Sequence, residues 1–222
     1  KEIIVKSVSI SGEFKEIVEK VFKNYSIPCN DGLSVVFKYE NSKETTYTDE
    51  ISRLTDEKYI IVALENEIVV KASCEKGAFR GANTLAKLIV KNELKEGTLT
   101  DFPLFNKRGY IEGFYGPTWE NSKRLSVIKL MASYGMNTYF YAPKDDIYHR
   151  AKWRELYPEN ELSQLESLFN SACENYLDFH WTIGPGLTYK YTSEEDFKTL
   201  INKIKSVYDI GVRNFGLLLD DI

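Results

Sequence analysis

The chain has 222 residues, 43% of them hydrophobic, and a formal net charge of −4, so it can fill a substantial core and carries no general basic face. That balance argues against nucleic acid or an anionic membrane surface as the main partner. No apolar run approaches the roughly 18 residues needed to span a bilayer, and Lys1-Glu2-Ile3-Ile4-Val5 lacks the apolar core of a signal peptide.

From Lys1 to about Asp101 the pattern mixes strands and helices. The alternation Val5-Lys6-Ser7-Val8-Ser9-Ile10 predicts a half-buried strand, and Phe14, Ile17, Val18, Val21 and Phe22 recur at helical spacing. Leu33 to Tyr39 and Tyr59 to Leu64 read as further strands, with Glu67 to Ala72 as hairpin partner of the second across Glu65-Asn66. A helix from about Gly77 to Val90 follows, its Leu85, Leu88 and Ile89 on one face. A small α+β domain over residues 1–101 is the expectation. The seam is placed at Lys95 to Pro103, where Gly97 and Pro103 interrupt the periodicity.

Residues 102–222 alternate between strand and helix. Strand-like runs at Gly109 to Phe114, Met136 to Tyr141, Asp178 to Gly184 and Asn214 to Leu219 are separated by helical runs at about Asn121 to Tyr134, Glu161 to Tyr176 and Ser193 to Tyr208. Their spacing, roughly 30 to 40 residues, is that of βαβ units on a parallel sheet. Four strands and three helices match the first half of a (β/α)8 barrel, truncated after strand 4; a doubly wound sheet is the rival. Polar clusters at two strand ends, Lys144-Asp145-Asp146 and Asp220-Asp221, favour the barrel. An open half-barrel would leave an apolar edge strand, so the remaining half of the barrel is an expected partner.

The chemistry concentrates in the last run, Asn214-Phe215-Gly216-Leu217-Leu218-Leu219-Asp220-Asp221. Two carboxylates at the dry end of a buried strand repel, so the pair can hold one proton near neutrality, an acid beside a base. A divalent-metal site and a helix cap are the competing readings. Cys29, Cys74 and Cys173 are widely spaced and read as ordinary thiols, while His149 and His180 read as a polar loop contact and a strand residue. The sequence holds no HExxH, GxxxxGK[ST] or GxGxxG.

Four segments in order carry a family resemblance: Arg108-Gly109-Tyr110-Ile111-Glu112-Gly113-Phe114-Tyr115-Gly116-Pro117-Thr118-Trp119; Asn137 to Asp146 with His149-Arg150; Ile183-Gly184-Pro185-Gly186; and Leu218-Leu219-Asp220-Asp221. Together they resemble the catalytic barrel of glycoside hydrolase family 84, the β-N-acetylglucosaminidases that include protein O-GlcNAcases and bacterial hyaluronidase-like toxins. Tyr59-Ile60-Ile61-Val62, Ile68 to Ala72 and Gly77 to Leu85 are similar to the α+β domain that precedes the barrel in bacterial members.

The resemblance implies a retaining glycosidase that removes β-linked N-acetylglucosamine from a glycan or glycoprotein. It makes Asp221 the general acid/base and Asp220 the holder of the substrate's 2-acetamido N–H, with the acetamido oxygen as nucleophile and an oxazoline as intermediate. It makes the Gly113 carbonyl and Lys144 contacts of the sugar, and implies no metal and no cofactor. Asp145 and Asp146 are assigned to loop structure, and Phe114, Tyr115 and Trp119 read either as a stacking surface for a sugar or, as is commoner for aromatics at a strand exit, as core or loop packing. The family places further sugar-contacting residues on later strands, so the 222 residues alone are expected to lack turnover. Export or a bacterial cell surface is the expected location. The runner-up is a non-catalytic carbohydrate-binding or scaffold segment, against which an electrostatically costly Asp pair counts.

Overall fold

The computed structural model describes residues 1–40, 56–186 and 188–219, which form two compact units, Lys1–Asn106 and Lys107–Ile222. Among the described residues the first is a five-stranded mixed sheet with two helices. Its elements are β1 (Val8–Gly12), α1 (Lys15–Asn24), β2 (Leu33–Tyr39), β3 (Tyr59–Ala63), β4 (Glu67–Ala72), α2 (Glu75–Val90) and β5 (Gly97–Asp101). The sheet order is β1-β2-β4-β3-β5; β1, β2 and β4 run parallel, and β3 is antiparallel to both of its neighbours.

Registers place Val8, Ile10, Val35, Phe37, Ile68, Val70, Tyr59 and Ile61 on one face, all buried. Val18, Val21 and Phe22 of α1 and Ala78, Ala82, Leu85 and Ile89 of α2 supply the other side of this core. The β3–β4 hairpin closes as its pattern predicts, Leu64 N–H donating to Glu67 O at 2.8 Å. The expected seam holds a strand instead. Gly97–Asp101 pairs antiparallel with β3, putting Leu99 opposite Ile61 and Asp101 opposite Tyr59, whose hydroxyl donates to Asp101 Oδ2 at 2.7 Å. Gly and Pro bracket this short edge strand rather than interrupt a linker.

The second unit holds β6 (Gly109–Glu112), α3 (Asn121–Ser133), β7 (Thr138–Tyr141), α4 (Glu159–Glu174), β8 (Asp178–Ile183), α5 (Glu194–Asp209) and β9 (Asn214–Leu217). All four strands are parallel and lie in chain order, β6-β7-β8-β9. Gly109 is required where β6 meets β7, because a Cβ there would fall far inside the contact distance of the Thr138 carbonyl oxygen.

One face of this sheet is dry. Glu112, Tyr139, Tyr141, Phe179, Trp181 and Ile183 are buried on it, and Phe169 of α4 meets Phe179 edge-on at 6.4 Å. The opposite face carries Ile111, Phe140 and His180 in register; Ile111 is 61% exposed, and the Phe140 and His180 rings stack at 4.2 Å. A doubly wound sheet would cover both faces with helices. A mixed α/β chain whose parallel sheet runs in sequential order, with one helix-covered face, is consistent with part of a (β/α)8 barrel. Among the described residues no helix is long and apolar enough to cross a membrane.

Candidate active site

The carboxyl ends of the four strands lie side by side, and hydrogen bonds continue past them. Ala142 N–H donates to Glu112 O at 3.2 Å, Lys144 N–H to Phe114 O at 3.4 Å, Gly184 N–H to His149 O at 3.0 Å and Leu218 N–H to Ile183 O at 2.8 Å. These bonds bring Gly113, Lys144, Gly184 and Leu218 to one end of the sheet. A Cβ on Gly113 would meet only Ile111 Cγ2, at 3.3 Å, so this position opens on the uncovered face. At Gly184 it would sit 3.7 to 3.9 Å from Leu218 O, Arg150 Cγ and His149 Cε1.

Two cations converge beside these ends. The Arg150 guanidinium lies 5.5 Å from the Tyr115 ring centre and donates to its hydroxyl at 3.2 Å, and Lys144 Nζ is 6.0 Å from the same ring. Cations on the face of an exposed aromatic gain from the attraction of its quadrupole. Lys144 is half-buried, and burial and backbone pairing fix the turn that presents it: Asp146 N–H closes on Pro143 O at 3.1 Å.

Beneath the strand ends runs a buried polar network. Glu112, fully buried, accepts three hydrogen bonds from Arg124 of α3, at 2.7, 3.0 and 3.1 Å, and a fourth from the Tyr139 hydroxyl. Burial works to lower the Arg124 pKa, but the Glu112 bonds outweigh it and hold the guanidinium charged. That guanidinium lies 5.0 Å over the Tyr141 ring, and the Tyr141 hydroxyl donates to Asp146 Oδ2 at 2.8 Å. Asp146 also takes the Tyr157 hydroxyl at 2.9 Å and the N–H groups of Tyr148 and His149 at 2.8 and 3.2 Å. Four donors make it a structural anion.

Asp145 accepts from Gly116 N–H at 3.1 Å, which ties the loop after β7 to the loop after β6. His149 is 1% exposed, its Nδ1 2.9 Å from Thr182 O, and burial pushes its pKa down to about 4 against the pull of Asp146. Lys203 of α5 is fully buried, lies 4.0 Å from the Tyr157 ring centre and donates to the Glu155 carbonyl; burial brings its pKa down to about 8. Arg154 grips Asp196 with two bonds, at 2.7 and 2.9 Å, and donates to Thr188 Oγ1 and O. The loops after β7 and β8 are therefore cross-linked.

Among the residues singled out in the sequence, Gly113 and Lys144 come together at the strand ends, Asp145 and Asp146 serve the loop, and Trp119 packs between Tyr110 and Phe114. Asp220 and Asp221 lie outside the described residues; they follow Leu219 in the chain. The network through Glu112, Arg124, Tyr139, Tyr141 and Tyr157 went unread in the sequence, although an acid at the helix-facing parity of β6 and a cation in line with Ile128 and Met131 of α3 both signal a buried pair.

Residues 108–222 match the family model described as beta-N-acetylglucosaminidase. Protein O-GlcNAcase of Rattus norvegicus and of Mus musculus are each 40% identical over 114 residues, which is 51% of this chain and 12% of theirs. The solved structure of CpGH84B covers 98% of this chain, and 41% of its own, with 40% identity and a TM-score of 0.75. That of CpGH84D covers 99% of this chain and 42% of its own, with 27% identity and a TM-score of 0.72. A mutant of the Thermobaculum terrenum O-GlcNAc hydrolase is 42% identical over 53% of this chain and 26% of its own, with a TM-score of 0.52. The chain thus spans about an eighth of the curated relatives and under half of these structures. With a match that runs through all four strands of the parallel sheet, the chain belongs to the β-N-acetylglucosaminidases of glycoside hydrolase family 84.

Proposed function

We propose that this chain supplies the first catalytic elements of a retaining β-N-acetylglucosaminidase that releases N-acetylglucosamine by substrate-assisted catalysis. The observation that carries the reading is the family match over residues 108–222, which contains Gly113, Lys144 and the Asp220-Asp221 pair in one segment. The names of the relatives, protein O-GlcNAcase and O-GlcNAc hydrolase, support β-linked N-acetylglucosamine as the sugar.

In this reading Asp220 accepts the acetamido N–H and offsets the positive charge that develops as the acetamido oxygen attacks the anomeric carbon. Protonated Asp221 gives its proton to the departing oxygen and later takes one from water, so configuration is retained. The Gly113 carbonyl accepts from a sugar hydroxyl and the Lys144 ammonium donates to another. The two stand at adjacent strand ends joined by the Ala142–Glu112 and Lys144–Phe114 bonds. The part of the relatives that this chain does not cover completes the sugar pocket, so the 222 residues alone do not turn over.

The test uses the full-length protein and aryl N-acetyl-β-glucosaminides whose acetyl group is progressively fluorinated. A steep fall in kcat as the acetamido oxygen loses basicity is expected, and Asp221→Asn should abolish turnover of substrates with poor leaving groups. A flat response with good turnover would point to an enzyme nucleophile and sink the proposal. Specific hydrolysis by residues 1–222 alone, lost in Asp221→Asn, would sink the statement that the chain needs the rest.

A further inference from the structure

We propose that Tyr141 and Asp146 are positioning residues that set the sugar contact of Lys144, an inference that rests on the role proposed for Lys144 above. Tyr141 is the last residue of β7, and Lys144 stands in the turn between it and Asp146. The Tyr141 hydroxyl reaches across this turn to Asp146 Oδ2 at 2.8 Å, and Asp146 N–H bonds Pro143 O at 3.1 Å, so the turn is pinned at both flanks of Lys144. Tyr141 itself is fixed by the Arg124 guanidinium over its ring, and Arg124 by three bonds to Glu112, the neighbour of Gly113. The two proposed sugar contacts, Gly113 and Lys144, therefore hang from opposite ends of one buried network.

Tyr157 provides an internal control. Its hydroxyl donates to the same Asp146 oxygen, at 2.9 Å, but from the far end of the loop beside α4. It also accepts from Trp181 Nε1 at 3.4 Å. Tyr157→Phe thus removes an equivalent bond, and at least as much stability as Tyr141→Phe, without touching the side of the turn that carries Lys144. A purely structural role would make the two substitutions alike.

The experiment measures KM and kcat on an aryl N-acetyl-β-glucosaminide with full-length Tyr141→Phe, Tyr157→Phe, Lys144→Ala and the Tyr141→Phe/Lys144→Ala double variant. Small misplacements of a positioned group are costly, so Tyr141→Phe is expected to raise KM about tenfold while Tyr157→Phe leaves it within about twofold. In the Lys144→Ala background Tyr141→Phe should change KM no further. Equal KM shifts in the two tyrosine variants, or additive effects in the double variant, overturn the proposal. If Lys144→Ala leaves KM unchanged, the sugar contact of Lys144 is what fails. Amide exchange at Lys144 and Asp145 then decides the positioning: faster in Tyr141→Phe than in Tyr157→Phe upholds it, and equal rates overturn it.

Discussion

Arg124→Met would strip Glu112 of its guanidinium while keeping an aliphatic chain against the Tyr141 ring. Three hydrogen bonds disappear, at 2.7, 3.0 and 3.1 Å, and a carboxylate with no solvent exposure keeps only the Tyr139 hydroxyl. Charged hydrogen bonds are worth roughly 1.5–3 kcal/mol each, but their sum overshoots because Met regains dispersion contacts. Breaking a buried pair from one side costs about 3–5 kcal/mol, and a loss of about 4 kcal/mol is expected here. Adding Glu112→Gln removes the stranded charge and leaves an acceptor for Tyr139, so the double variant should recover at least half of that loss, a coupling of roughly 2 kcal/mol. Trp119, Trp153 and Trp181, the chain's three tryptophans, all lie in the second unit, so urea titration followed by tryptophan fluorescence reads this unit alone. A single-variant loss under about 1 kcal/mol, or a double variant as unstable as the sum of the two singles, would refute the network as drawn.

Burial holds His149 neutral down to about pH 4 against an ordinary 6.5, so the unfolded chain binds the extra proton between these values. Stability should be complete above pH 6.5 and fall by about 3 kcal/mol as pH drops to 4, and His149→Gln should flatten that slope in urea melts taken from pH 7 to 4. Lys203 runs the same way at higher pH: the fold binds its proton less tightly, with a pKa of about 8 against 10.5, so stability should climb as pH rises from 8 toward 9.5. That climb should vanish in Lys203→Met, with Asp146, Glu155, Glu161, Tyr148 and Tyr157 left in place around it; a climb that persists would assign it elsewhere. Gly109→Ala drives a methyl into the Thr138 carbonyl of the adjoining strand and should cost more than about 3 kcal/mol, read as lost soluble yield or an early urea midpoint. A near-neutral result would mean that β6 and β7 approach less closely than described.

Most of the fold was legible because its elements obey one period at a time. Leu33–Tyr39 and Glu67–Ala72 form strands over the bounds their patterns predict, and the helix expected at Asn121 to Tyr134 spans Asn121–Ser133. The miss at Gly97–Asp101 has a physical cause. This strand buries almost nothing, so its Thr98-Leu99-Thr100 alternation is too short to outweigh Gly97 and Pro103, and only pairing with β3 makes it a strand. Reading β6 as Gly109 to Phe114 ran two residues long, because Gly113 and Phe114 leave the ladder to begin the loop that reaches Lys144.

The polar architecture was harder to read, and the run Lys144-Asp145-Asp146 shows why. Three consecutive charged residues look like one solvated turn, yet Asp146 is buried with four donors, Asp145 is exposed and holds Gly116, and Lys144 lies half-buried against Tyr115. Nothing local separates the two aspartates. What separates them is Tyr141 five residues back and Tyr157 eleven ahead, whose hydroxyls can meet only if β7 ends where it does and the loop folds back over it. A charge becomes structural when distant residues desolvate and satisfy it. The turn that carries Lys144 is thus set by burying Asp146, and under the role proposed for Lys144 this is why Tyr141→Phe should raise KM.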